Sequence, residues 1–156
     1  MQQIQNRYDV FEPGDLTSLV CIDDPEVQKV VVDQLSALNY KIHTGLFTED
    51  ISLKLKAHDY NIVVVYETFN DWDAETNQVL AEAVRLESSH RRNQLLVLVG
   101  PNMATGDQMQ AFGYSVDLVC SVADLPNLKT VLRRAVNSHK QFYSVYNDAL
   151  REQAGV

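Results

Sequence analysis

A chain of 156 residues with 46% hydrophobic content suits one compact domain around one core. Its formal charge of −8 argues against sequence-independent nucleic-acid binding and anionic membranes, both of which rest on clustered Lys and Arg. No apolar run approaches the roughly 20 residues of a membrane span, and Met1-Gln2-Gln3-Ile4-Gln5 lacks the basic start and apolar core of a secretory signal, so a cytoplasmic protein is expected, and its acidic balance favours basic partners.

Residues 1–15 read as a polar arm, broken by Tyr8, Val10 and Phe11 and closed by the turn signal Glu12-Pro13-Gly14-Asp15. Thr17 to Ile22 is predicted as the first strand. Asp24 suits a helix N-cap and Pro25 the first helical position, followed by Val27, Val30, Val31, Leu35 and Leu38 at helical spacing to about Asn39. Tyr40 to Thr44 reads as a short strand, Gly45 as a turn, and Thr48 as the cap of a second helix carrying Ile51 and Leu55.

The run Tyr60 to Glu67 is the most strand-like in the chain. Its β-branched residues Ile62 to Val65 are what a strand buried on both faces of a parallel sheet looks like. A polar loop around Phe69 and Trp72 leads to a third helix with Val79, Leu80, Ala83, Val84 and Leu86, broken at Ser88 to Asn93. Leu95 to Val99 is a fourth buried strand ended by Gly100-Pro101. Asp107 suits the cap of a short helix holding Met109 and Phe112 and ending at Gly113. Val116 to Cys120 reads as the fifth strand. Asp124 is expected to cap a last helix that tolerates Pro126 in its first turn and outruns a small sheet: to about Arg151 it would span on the order of 40 Å at 1.5 Å per residue.

Five strands alternating with five helices imply a doubly wound parallel α/β sheet. A reversal of winding sets the first and third strands side by side, so that their carboxyl ends share one crevice lined by Asp23, Asp24 and Tyr66. The cysteines, Cys21 and Cys120, lack the spacing of a zinc site or disulfide framework and read as buried thiols. Gly-x-Gly-x-x-Gly, Gly-Lys-Ser/Thr, Gly-x-Ser-x-Gly and His-Glu-x-x-His are all absent from the sequence. His43, His58 and His139 show no metal-ligand spacing and are assigned no role. His90-Arg91-Arg92 is a basic spot read as a solvated loop.

Leu19-Val20-Cys21-Ile22-Asp23-Asp24-Pro25-Glu26-Val27 and His58-Asp59-Tyr60-Asn61-Ile62-Val63-Val64-Val65, in this order and spacing, resemble the first and third strands of the bacterial response-regulator receiver domain. Gly113 and Asp117-Leu118-Val119 resemble the family's fifth-strand region. The resemblance covers roughly Thr17 to Asn137 and implies the strand order 2-1-3-4-5, with an arm at 1–15, the receiver-like domain at 16–137 and a helical extension at 138–156.

Receivers accept a phosphoryl group on an aspartate ending strand three. An acidic pair holds Mg²⁺, a Thr or Ser follows strand four, and a Lys follows strand five. Here the pair is kept as Asp23 and Asp24, but Tyr66 stands at the acceptor, Gly100 at the hydroxyl and Cys120-Ser121 at the Lys-Pro step. Strand alternation points Glu67 to the side opposite Tyr66, so it does not rescue the site. The resemblance therefore implies a degenerate receiver without catalysis or cofactor, acting by protein contact. At most Asp23 and Asp24 keep a weak, vestigial Mg²⁺ site. Two carboxylates about 4 Å apart repel by roughly 4 kcal/mol at an effective dielectric near 20, which calls for a cation or a proton. Alternatively Asp24 is simply a cap. Tyr66 either plugs the emptied pocket or is a β-favouring aromatic, and Trp72 either anchors a partner or forms a lid.

The resemblance implies a partner face made by the fourth helix, fifth strand and last helix. This face includes Asp117, which stands at the family's aromatic switch position, and Phe142, Tyr143, Tyr146 and Leu150 on the extension, which either fold back or pair with another chain, a second copy or a different partner. The alternative function is a small-molecule sensor binding in the crevice near Asp23, Tyr66 and Gly100.

Overall fold

The computed structural model describes residues 3–86 and 93–153, with the last helix described as backbone alone at 142–147 and 150–153. His90-Arg91-Arg92 lies outside the described residues. The strands are β1 (Thr17–Cys21), β2 (Lys41–Thr44), β3 (Ile62–Tyr66), β4 (Leu95–Gly100) and β5 (Leu118–Ser121). All pair in parallel, in the order β2-β1-β3-β4-β5. The central strands are buried on both faces, which is why they read as continuous runs of Val, Leu and Ile.

The helices are α1 (Pro25–Ala37), α2 (Thr48–Ala57), α3 (Gln78–Val84), α4 (Gln108–Tyr114) and α5 (Leu128–Gln153). Strand alternation sorts the core into two layers. Val20, Ile62, Val64, Val97 and Val99 pack against Val31, Val32 and Leu35 of α1 and Leu128 and Leu132 of α5. Leu19, Val63, Val65, Leu96 and Leu98 pack on the other face against Ile51 and Leu55 of α2, Val79, Leu80 and Ala83 of α3, and Ala111 of α4. Each buried Val, Leu or Ile among them contributes about 1.5–3 kcal/mol on burial.

Four local expectations change. Thr48 is the first helical residue of α2, and the N-cap is Phe47, which makes no side-chain cap bond. Gly113 lies inside α4, which ends at Ser115 in the left-handed conformation (φ 60°). Asp124 does not cap the last helix, because a 3₁₀ segment, Val122–Asn127, precedes α5 and takes Ser121 as its cap and Pro126 in its interior. Met109 and Phe112 are 80% and 82% exposed, so α4 packs through Ala111 and leaves both large side chains facing outward.

The arm lies along β2, the edge strand. The Asp9 N–H donates to Ile42 O (3.1 Å), and the Thr44 N–H donates to Arg7 O (2.8 Å), closing an antiparallel bridge between Tyr8 and His43. His43 is 1% exposed, between the stacked rings of Tyr8 (3.8 Å) and Phe11 (3.9 Å). A carbonyl only accepts, so His43 Nε2–H donates to Asp9 O (2.9 Å), and the Tyr60 hydroxyl donates to the bare Nδ1 (2.8 Å). His43 thus has a structural role, and the arm shields the exposed edge of the sheet.

Candidate functional site

Parallel register brings the carboxyl ends of β1, β3, β4 and β5 to one crevice: Cys21 lies beside Val65, Tyr66 beside Val99, and Gly100 beside Ser121. Asp24 is the N-cap of α1, its Oδ1 accepting from the N–H groups of Glu26 and Val27, both at 3.1 Å. Asp23 Oδ2 accepts from the Asn70 N–H at 2.8 Å. Asn70 and Asp71 are both left-handed (φ 55° and 58°), and this turns the loop after β3 back over the end of β1. Backbone N–H donors meet both carboxylates, with the positive end of α1 adding to the effect at Asp24. Asp24→Ala is expected to lower stability by about 1 kcal/mol in urea unfolding, and an unchanged midpoint would contradict the capping role.

Tyr66 ends β3 and packs against both core layers. Burial pushes its phenol above the ordinary range, a hydrogen bond with Thr68 pulls the other way, and the charges of Asp24, Asp23 and Glu67 push it further up. It is a protonated phenol at neutral pH and a poor nucleophile. Trp72 is half-buried against the core and Phe69, as a lid would be.

Glu67 is what the sequence reasoning missed. It does lie on the face opposite Tyr66, as alternation requires, yet it is only 4% exposed and turns toward β4. Its Oε1 accepts from the Asn102 N–H (3.0 Å) and its Oε2 from Asn102 Nδ2 (2.8 Å). Gly100 makes this possible: a Cβ there would overlap the Glu67 carboxylate and its Cβ. Asn77 holds the same corner from below, Nδ2 donating to the carbonyls of Tyr66 (2.8 Å) and Glu67 (3.0 Å) while Oδ1 caps α3 through the Leu80 N–H. The legible signal was a glycine in register beside an acidic residue on an otherwise apolar face.

Cys120 is buried, and burial pushes its thiol up. Thr105 bridges this corner, donating to Asp124 Oδ2 (2.6 Å) and accepting from the Ser121 N–H (2.9 Å). Its hydroxyl is thus already engaged. Asp117 is exposed, but its Oδ2 accepts from the Leu96 N–H (2.8 Å), prolonging the β4–β5 ladder. Beside it a groove of about 850 Å³ runs between α4, β5 and α5, lined among others by Ala111, Phe112, Leu118, Val131 and Ala135. The side chains of Phe142, Tyr143, Tyr146 and Leu150 lie outside the described residues.

No protein-family model matches the sequence. No curated protein matches it either. Solved structures do match. A CheY-like response-regulator receiver domain protein from Methanospirillum hungatei superposes with a TM-score of 0.63 at 12% identity, over 82% of this chain and 98% of its own. The chain has the receiver-domain fold.

NtrX from Brucella abortus, solved with ADP, matches at a TM-score of 0.63 and 15% identity over 91% of this chain, which spans 30% of NtrX. The receiver domain of a sensor histidine kinase from Pseudomonas aeruginosa, with magnesium coordinated in its active-site cleft, matches at 0.58 and 16% identity over 80% of this chain and 99% of its own. The present residues fit such an ion poorly. One oxygen each of Asp23 and Asp24 is committed to backbone N–H groups, and a phenol stands at the end of β3. Among the described residues no group of three or more His, Cys, Asp or Glu converges as a metal site, and no helix is long and apolar enough to cross a membrane.

Proposed function

We propose that this receiver-fold chain is a non-catalytic signalling module, a pseudo-receiver that works in the cytoplasm of a bacterium by protein contact and without aspartyl phosphorylation. Tyr66 carries the proposal. The family's acceptor position holds a protonated phenol whose charged neighbours are Asp24, Asp23 and Glu67, and an anionic phosphoryl donor is repelled by such a set. Gly100 brings no hydroxyl, and Cys120 no cation to offset the phosphate. Mg²⁺ has no step to assist, and millimolar Mg²⁺ is expected to leave the amide resonances of Asp23 and Asp24 in place.

The contact face is α4, β5 and α5. Phe112 lines its apolar groove and stands exposed, as does Met109 on the same helix, and exposed apolar side chains beside a pocket are what a partner anchors on. Capture from the native cell with the full chain is expected to lose its specific partner on Met109→Ser with Phe112→Ser, and also on truncation after Asn137. Identical partner sets from all three proteins would remove this face from the account.

A further inference from the structure

The α4 face is connected to the crevice by a continuous set of hydrogen bonds. Glu67, buried at the end of β3, accepts two bonds from Asn102. The Asn102 carbonyl accepts from Gln110 Nε2 (3.0 Å), and Gln110 Oε1 accepts from the Ala104 N–H (2.7 Å). Gln110 belongs to α4 and stands between Met109 and Phe112 in sequence. The chain from β3 to the exposed helix therefore passes through one carboxylate and two amide side chains. Both ends are fixed: Asn77 holds the Glu67 carbonyl, and Asp107 Oδ1 caps α4 through the Gln110 N–H (3.0 Å).

We infer that the buried Glu67 carboxylate is an internal latch, which ties the β4–α4 loop and α4 to the end of β3 and holds the α4 face in one arrangement without any phosphoryl input. The latch rests on the proposed use of that face only for its purpose, not for its existence. Its physical basis is the number of donors it satisfies. A buried carboxylate left with unmade bonds is costly, so Asn102 is drawn to it. Asn102 in turn places the carbonyl that Gln110 reads. Thr105 seals the far side of the same loop to Asp124 and Ser121, so the whole turn from Gly100 to Asp107 is held at both flanks. The Gly106 N–H adds a bond to Val119 O (3.0 Å).

Amide hydrogen exchange on the full chain tests the latch. Glu67→Met keeps the bulk of the side chain and removes both acceptors. It is expected to raise exchange by about tenfold at Asn102, and also at Ala104 and Ala111, which Glu67 does not touch, while Val31 and Val32 of α1 stay at native rates. A rise confined to Asn102, or none, overturns the latch. If Glu67→Met loosens the whole domain, Gln110→Ala decides. This substitution on a half-exposed helical position keeps helix propensity and leaves the Glu67–Asn102 bonds in place, so coupling requires exchange at Asn102 to rise by about tenfold there too, by reciprocity. An unchanged Asn102 rejects the proposal. These rates report the latch whether or not the face binds anything. Loss of partner on Met109→Ser with Phe112→Ser tests the face separately.

Discussion

Replacing Gly100 with alanine is expected to destabilise the protein by about 2–4 kcal/mol, since the added methyl enters space held by the Glu67 side chain and forces its carboxylate off Asn102. The overlap involves the Glu67 Cβ as well as the carboxylate, and a Cβ cannot swing away as the end of a flexible chain can. For a domain of this size the loss corresponds to roughly 5–15 °C in Tm. The cause is checked by a cycle: Glu67→Gly in the Gly100→Ala background is expected to be less harmful than the two single losses added together, because the second change removes both the carboxylate and the Cβ that the first one strikes. A Gly100→Ala protein that melts with the native chain, or strict additivity in the cycle, contradicts the packing described for this corner.

The second large effect concerns pH and the N-terminal arm. Burial holds the His43 imidazole below its ordinary value of 6.5, and the charges of His58 and Lys54 push the same way, while the hydrogen bond to Asp9 and the Asp9 charge oppose them. Flanking rings would favour an imidazolium through cation–π attraction, but only weakly against burial, Lys54 and His58. The other charged groups around the arm are Arg7, paired with Asp9 (3.0 Å), Lys41, paired with Asp15 (2.9 Å) and also near Glu12, and Asp50, paired with Lys54 (2.8 Å). The unfolded chain takes up a proton at His43 near pH 6.5 and the folded chain only at lower pH. Between those values the unfolded state binds more protons, so stability falls as pH falls through the window and is flat above about 7. Carboxylates with lowered values, Asp9, Asp15 and Asp73, lose stability in the same direction but only below their ordinary 3.8. His43→Gln is expected to abolish the slope near pH 6 and, by losing its place between Tyr8 and Phe11, to cost about 2 kcal/mol at pH 7. Stability independent of pH between 5 and 7 in the native protein would contradict a neutral, buried His43.

Much of the architecture was legible because buried parallel strands leave a strong mark: Ile62 to Val65 and Leu95 to Val99 have no polar alternation to confuse them. The caps at Asp24 and Asp107 were legible too, since a short acidic side chain before an apolar periodic run has few other uses. The site was harder to read, because its main feature is a contact across strands. Strand alternation assigns Glu67 to the correct face. That it stays in the crevice depends on Gly100 being its neighbour in register and on the turn that brings Asn102 over it, and neither follows from alternation. His43 looked solitary because its partners, Tyr8 and Phe11, lie more than 30 residues away in an arm with no strand pattern of its own. Met109 and Phe112 were expected to carry α4 because both are large and apolar; the short helix uses Ala111 instead, and their exposure is what marks the face.

Incubation of the full chain with acetyl phosphate and Mg²⁺, followed by intact mass measurement, tests the central claim most directly. The protein is expected to keep its unmodified mass while a functional receiver domain treated in parallel gains one phosphoryl group. A phosphoryl adduct on this chain that is lost on treatment with hydroxylamine, as an acyl phosphate would be, contradicts the account.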